Sequence, residues 1–143
     1  MTTTVPEIIF YSESIDFSLS NESTVIDWIL ATIASEKKSQ GNLNFIFCSD
    51  NYLHKINLEH LNHDTYTDII TFPLRYDRIE GDIFISIDRV KENATQYKVT
   101  FEEELKRVII HGVLHLIGYK DKSEEEEELM RSKEDFYLVK YPS

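Results

Sequence analysis

Residues 111–121 read His-Gly-Val-Leu-His-Leu-Ile-Gly-Tyr-Lys-Asp, and three of them, His111, His115 and Asp121, can bind one transition-metal ion. The two histidines are four residues apart. In a helix each residue turns about 100°, so positions i and i+4 share a face. Two imidazoles on one face can reach the same ion, as in helix-borne zinc sites. Gly118 suits the left-handed turn that ends a helix, after which the chain can fold back and deliver Asp121 as a third ligand. Three protein ligands leave a fourth position for water, the pattern of catalytic zinc. A histidine pair at this spacing also arises by chance, and each ring could be a satisfied core residue. The surrounding Val108, Ile109, Ile110, Val113, Leu114, Leu116 and Ile117 make the helix apolar nearly all round. Two imidazoles on a buried helix need polar partners, and a metal satisfies both. Gly112 stands where an H-E-x-x-H metalloprotease has its glutamate base, which lowers the peptidase option.

The elements that must position these residues follow from periodicity and punctuation. Residues 7–11 and 43–48 are apolar, β-branched or aromatic runs and are expected strands. Between them Val25, Ile26, Ile29, Leu30, Ile33 and Ala34 recur at three and four. This predicts a helix capped by Ser20 and followed by Gly41. Ser49 and Asp50 cap a second helix carrying Leu53, Ile56 and Leu61. Residues 67–72 form the next expected strand, stopped by Pro73, and 82–87 another, with a turn or mobile loop at 74–80 between them. Residues 88–98 read as helix. Thr100 with Glu103 is a capping-box pattern opening the histidine helix, which ends at Gly118. Ser123 with Glu126 is a second, opening a helix to about Val139. Interleaved strands and helices predict the α/β (α+β) class, with a small mixed sheet of about four strands covered by about five helices.

The 143 residues, 41% apolar and 29% charged, suit one soluble domain over 1–143, with only four glycines and three prolines for linkers. No apolar run approaches the length of a membrane helix. The first residues lack a basic start followed by an apolar stretch, so no signal peptide is expected. Cys48, the sole cysteine, lies in an apolar run and reads as a buried core thiol. Together these point to a cytoplasmic protein. The net charge is −11, of which −5 falls in residues 121–135. That argues against nucleic-acid binding through overall charge, so an RNA partner would need a local basic patch.

The block 111–119, followed by Met130 and Glu134, resembles the signature of the YbeY family of bacterial ribosomal-RNA maturation factors. Residues 67–73 (Thr-Asp-Ile-Ile-Thr-Phe-Pro) and 81–86 (Gly-Asp-Ile-Phe-Ile-Ser) match in the same order, so the resemblance spans roughly residues 43 to 138. It implies a metal-dependent, single-strand-specific endoribonuclease that processes small-subunit ribosomal RNA, with that RNA or the small ribosomal subunit as partner. Two departures stand out. The family usually has a third histidine where this chain has Asp121. A carboxylate is an acceptable zinc ligand, while two histidines and a carboxylate also suit iron or manganese. The family usually has an arginine where this chain has Leu61, which cannot stabilise a phosphorane.

Hydrolysis of RNA would therefore need a cation from elsewhere. Lys120 beside the ligand and His63 near the missing arginine are the candidates for catalysis, with Arg75, Arg78, Arg89 and Lys91 as further cations; taken singly, each cation reads better as a solvated surface charge, and His63 reads at least as well as an exposed loop histidine. Asp68 and Asp82, at strand starts, could orient a histidine ring or satisfy turn backbone. Glu124 to Glu128 read as the acidic start of a helix, and Met130 as core. The alternatives to the nuclease are a ribosome-associated factor with a non-catalytic metal, and a metallohydrolase with another substrate.

Overall fold

The computed structural model describes residues 6–75 and 77–142. The amino-terminal stretch read for a leader lies partly outside the described residues, as does Tyr76 of the 74–80 loop. The described elements are β1 (Ile8–Glu13), α1 (Glu22–Ser35), β2 (Gln40–Cys48), α2 (Asp50–Leu61), β3 (Ile69–Pro73), β4 (Ile79–Ser86), α3 (Ile87–Tyr97), α4 (Phe101–Ile117) and α5 (Glu124–Val139). The sheet has the order β1-β2-β4-β3. β1 and β2 are parallel, β2 and β4 are parallel, and β3 runs antiparallel to β4 at an edge. This is the mixed sheet with five helices that the patterning predicts.

Strand residues alternate between two faces, and the two faces have different cover. Leu43, Phe45, Phe47, Ile83 and Ile85 are fully buried in the main core with α4 residues Leu105, Ile109, Ile110, Val113 and Leu114, α1 residues Val25, Trp28 and Ile29, and α5 residues Met130 and Tyr137. The opposite face carries a smaller cluster, Cys48 and Ile70 with Leu53 of α2, flanked by Ile56, Phe72 and Phe84. The histidine helix is thus the central helix of the larger layer. Gly112 lets it approach the sheet. A Cβ there would stand 2.9 Å from Ile69 Cδ1 and 3.0 Å from Ile83 Cγ2, so the glycine accommodates β3 and β4.

Several boundaries differ from the sequence reading. Asn21, not Ser20, precedes α1 and makes no side-chain cap. That helix ends at Ser35, two residues before Lys37 enters left-handed backbone; Gly41 is already inside β2. Pro73 is the last residue of β3 rather than its stop. Its ring occupies an edge position, where a missing N–H costs no ladder bond. Ser86 ends β4 and caps α3, accepting from Arg89 N. The expected caps on the last two helices are present: Thr100 accepts from Glu103 N, and Ser123 with Glu126 forms a reciprocal capping box.

Candidate metal centre

α4 presents both imidazoles on the side facing α5 and the chain that follows Gly118. Gly118 has φ +126°, a backbone conformation that side chains disfavour. It breaks the helix and turns the chain back. Tyr119 then anchors the returning segment, its hydroxyl donating to Glu36 Oε1 at 2.6 Å. The Glu36 carboxylate also accepts from Tyr137 and from Lys133 Nζ (3.1 Å). Burial alone would raise the Glu36 carboxyl, and these three donors outweigh it, so it is held below its ordinary value. The carboxyl-terminal end of α1 therefore fixes the segment that delivers Asp121.

The result is a convergent donor set. Asp121 Oδ2 lies 3.3 Å from His111 Nε2 and 3.2 Å from His115 Nε2, and one ligand atom from each of the three residues lies within 4.8 Å of the others. The two rings are nearly perpendicular, 81° apart, with centroids separated by 4.5 Å. The side chains are about a fifth to two-fifths exposed, so the donors sit at a wall open to solvent.

Behind His111, Nδ1 donates to Glu134 Oε2 at 2.6 Å. That bond fixes the tautomer and leaves Nε2 aimed at the shared point, the usual role of a carboxylate behind a ligating histidine. Glu134 is 6% exposed, and its other oxygen accepts from Arg107 Nη1 at 2.8 Å; Arg107 Nη2 also donates to Asp135 at 2.7 Å. Burial disfavours the charged His111 ring, while Glu134, Asp121 and Asp68 favour it more strongly, so its pKa lies above the ordinary histidine value. The donor types, their convergence and the fixed tautomer fit a transition metal.

A cavity of about 260 Å³ adjoins the site, lined by His111 and Asp121 together with Asp68, Tyr97, Arg107 and Arg131 among others. Asp68 therefore belongs to the site's surroundings, and burial pushes its carboxyl up. Its Oδ2 accepts from Asn93 at 3.4 Å and its carbonyl from Ser86 N. Asp82 does not face the histidines. It accepts from Asn44 and lines a depression with Ile56, His60, Phe72 and Phe84 on the α2 side, because β4 turns Gly81 and Ile83 toward α4 and so turns Asp82 away.

Neither His63 nor Lys120 lines the cavity beside the histidines. His63 is exposed just after α2, and Lys120 is exposed beside the ligand turn. Arg75 is paired with Asp77, Arg78 with Glu80, and Arg89 with Asp50. Lys91 is exposed on α3. Glu124 to Glu127 occupy the first turn of α5. Arg107, Arg131, Tyr97 and Glu36 escaped the sequence reading: Arg107 stands one helical turn before His111, and the other three reach the site from α5, α3 and the end of α1. Glu134 was visible there as part of a motif, without its role.

An α/β layer whose central helix carries two histidines, closed by a carboxylate from the following turn, defines a candidate mononuclear metal centre. A family model described as "Endoribonuclease YbeY" matches residues 7–142. The chain belongs to the YbeY family. It is 57% identical over 129 residues to a protein named endoribonuclease YbeY from Flavobacterium johnsoniae, covering 90% of this chain and 93% of that one. It is 58% identical over 129 residues to the protein of the same name from Flavobacterium psychrophilum, covering 90% and 92%. A solution structure of a Thermotoga maritima protein superposes with TM-score 0.68 at 27% identity, covering 94% of this chain and 89% of that one.

Proposed function

We propose that this chain is a metal-dependent, single-strand-specific endoribonuclease that acts on ribosomal RNA during maturation of the small ribosomal subunit in the cytoplasm. The observation that carries the reading is the convergence of His111 Nε2, His115 Nε2 and one Asp121 oxygen in a chain whose relatives are named endoribonucleases. Zinc suits the donor set, and iron or manganese suits it as well. When bound, such an ion lowers the pKa of a coordinated water and polarises a phosphoryl oxygen.

The chain's own residues prepare this chemistry. His111, His115 and Asp121 would hold the ion. Glu134 fixes the His111 tautomer, and Arg107 holds Glu134 in place. Gly118 and the Glu36–Tyr119 bond set the position of Asp121. Four carboxylates, Asp68, Glu104, Asp121 and Glu134, line the adjoining cavity. An approaching phosphate therefore depends on the metal's charge and on a cation near it.

The test is cleavage of a labelled single-stranded RNA by purified protein of measured metal content, beside a duplex control. Metal-dependent cutting of the single strand alone supports the reading. A protein that holds metal and binds small ribosomal subunits without cutting RNA would favour the binding factor; the exposed Leu61 at the end of α2, where relatives usually carry arginine, is the feature that favours that alternative.

A further inference from the structure

We propose that Tyr97 and Arg131 form a nucleotide subsite beside the metal ligands, Tyr97 stacking on a base and Arg131 contacting a backbone phosphate of single-stranded RNA. The proposal rests on the nuclease reading above and deepens it by naming the residues that grip the substrate.

Both side chains line the same cavity as His111 and Asp121. Tyr97 is the last residue of α3, and the chain turns sharply after it through the left-handed Lys98. The residue is 56% exposed. No aromatic ring or cation covers it among the described residues. What sets it apart from the chain's other exposed rings is its place on the wall of the metal-site cavity, and a base presents a flat face on which such a ring can stack.

Arg131 is the second half. The cavity has two guanidinium groups, and they are in different states. Arg107 is one-quarter exposed and holds both Glu134 and Asp135 at hydrogen-bonding distance. Arg131 is 61% exposed, and its one ion pair among the described residues is a long 3.7 Å contact to Glu134. Its charge is therefore available to an incoming anion. The planar fork of an arginine suits a phosphate. Glu134 links Arg131 to His111, so the guanidinium is held one side chain away from the ligand set. This supplies a cation at the site where Leu61 supplies none. At about 260 Å³, the cavity lies just below the roughly 300–1,000 Å³ of small-molecule clefts, a size that suits one nucleotide unit rather than a duplex.

The experiment uses the metal-loaded, full-length protein and a fluorescent single-stranded RNA octamer with phosphorothioate linkages, titrated by anisotropy at several salt concentrations. Arg131→Ala should weaken binding and flatten the log–log salt slope by about 0.7, one phosphate contact on a single strand. Tyr97→Ala should weaken binding about tenfold, as for loss of one base stack, with the salt slope unchanged. Tyr97→Phe should restore most of the affinity, since the ring rather than the hydroxyl does the stacking. Lys55→Ala, on the exposed face of α2, should change neither affinity nor slope. Wild type that binds and cuts RNA, with Arg131→Ala and Tyr97→Ala unchanged in both, would overturn the subsite and leave the nuclease reading standing. Wild type that neither binds nor cuts would overturn both.

Discussion

His111 Nδ1 and Glu134 Oε2 lie 2.6 Å apart, although 23 residues separate them in the chain. The bond aims His111 Nε2 at the point where the three donors meet. Partners of this kind typically contribute about 10–100-fold to metal affinity. Glu134→Gln should therefore lower affinity by that range, measured by competition with a chromophoric chelator. Affinity equal to wild type would mean that His111 is oriented by packing alone.

Glu36 is a second support, acting on the opposite side of the site. It receives Tyr119, Tyr137 and Lys133, and its carboxyl is held below the ordinary value against the effect of burial. A lowered folded-state pKa contributes stability that is present above the unfolded pKa and lost as pH falls through the folded one. Glu36→Gln should cost about 1–2 kcal/mol at neutral pH through weakened charge-assisted hydrogen bonds. The cost should shrink on acidification below the ordinary carboxylate range. Urea titrations at neutral and acid pH check this, and a difference independent of pH would contradict it.

Gly112 separates the histidine helix from the sheet. Alanine has the better helix propensity, by about 1 kcal/mol. Its methyl would press on Ile69 Cδ1 and Ile83 Cγ2 at 2.9 and 3.0 Å, and overpacking of a tight core costs about 1–3 kcal/mol. Ile83 is fully buried and has little room to yield. Gly112→Ala should therefore lower the melting temperature on balance, read by calorimetry. A raised melting temperature would show that the helix can move away from the sheet freely.

Local periodicity makes the histidine face, the caps at Thr100 and Ser123, and the strand–helix alternation legible in the sequence. Both histidines lie within about one helical turn, so spacing alone places them together. The supports are not legible in the same way. Glu36 sits 83 residues from Tyr119, and no local pattern links them. Asp82 illustrates the limit from another side. It begins the expected strand as Asp68 begins its own, but strand side chains alternate between faces, and the pairing of β4 turns Asp82 toward α2. Gly41 has the residue type of a helix stop, whereas the helix has already ended before Lys37, whose left-handed backbone no glycine marks.

Cys48 lies fully buried between the sheet and α2, and burial together with Asp88, Asp50 and Glu13 pushes its thiol up to about 12. Only the thiolate is nucleophilic. Native protein should therefore leave Ellman's reagent unreacted at neutral pH, and urea-unfolded protein should release one equivalent of chromophore. Rapid labelling of the native state would show that the α2 layer opens readily.

The central claim is that His111, His115 and Asp121 hold one metal ion on which RNA cleavage depends. The most direct measurement is elemental analysis and single-stranded RNA cleavage on the same preparations of wild type and His115→Ala. The account predicts one transition-metal ion per wild-type chain, metal and cleavage both lost in His115→Ala, and wild-type cleavage lost on chelation and regained on adding metal back. Cleavage at full rate by metal-free protein, or by His115→Ala, would contradict it.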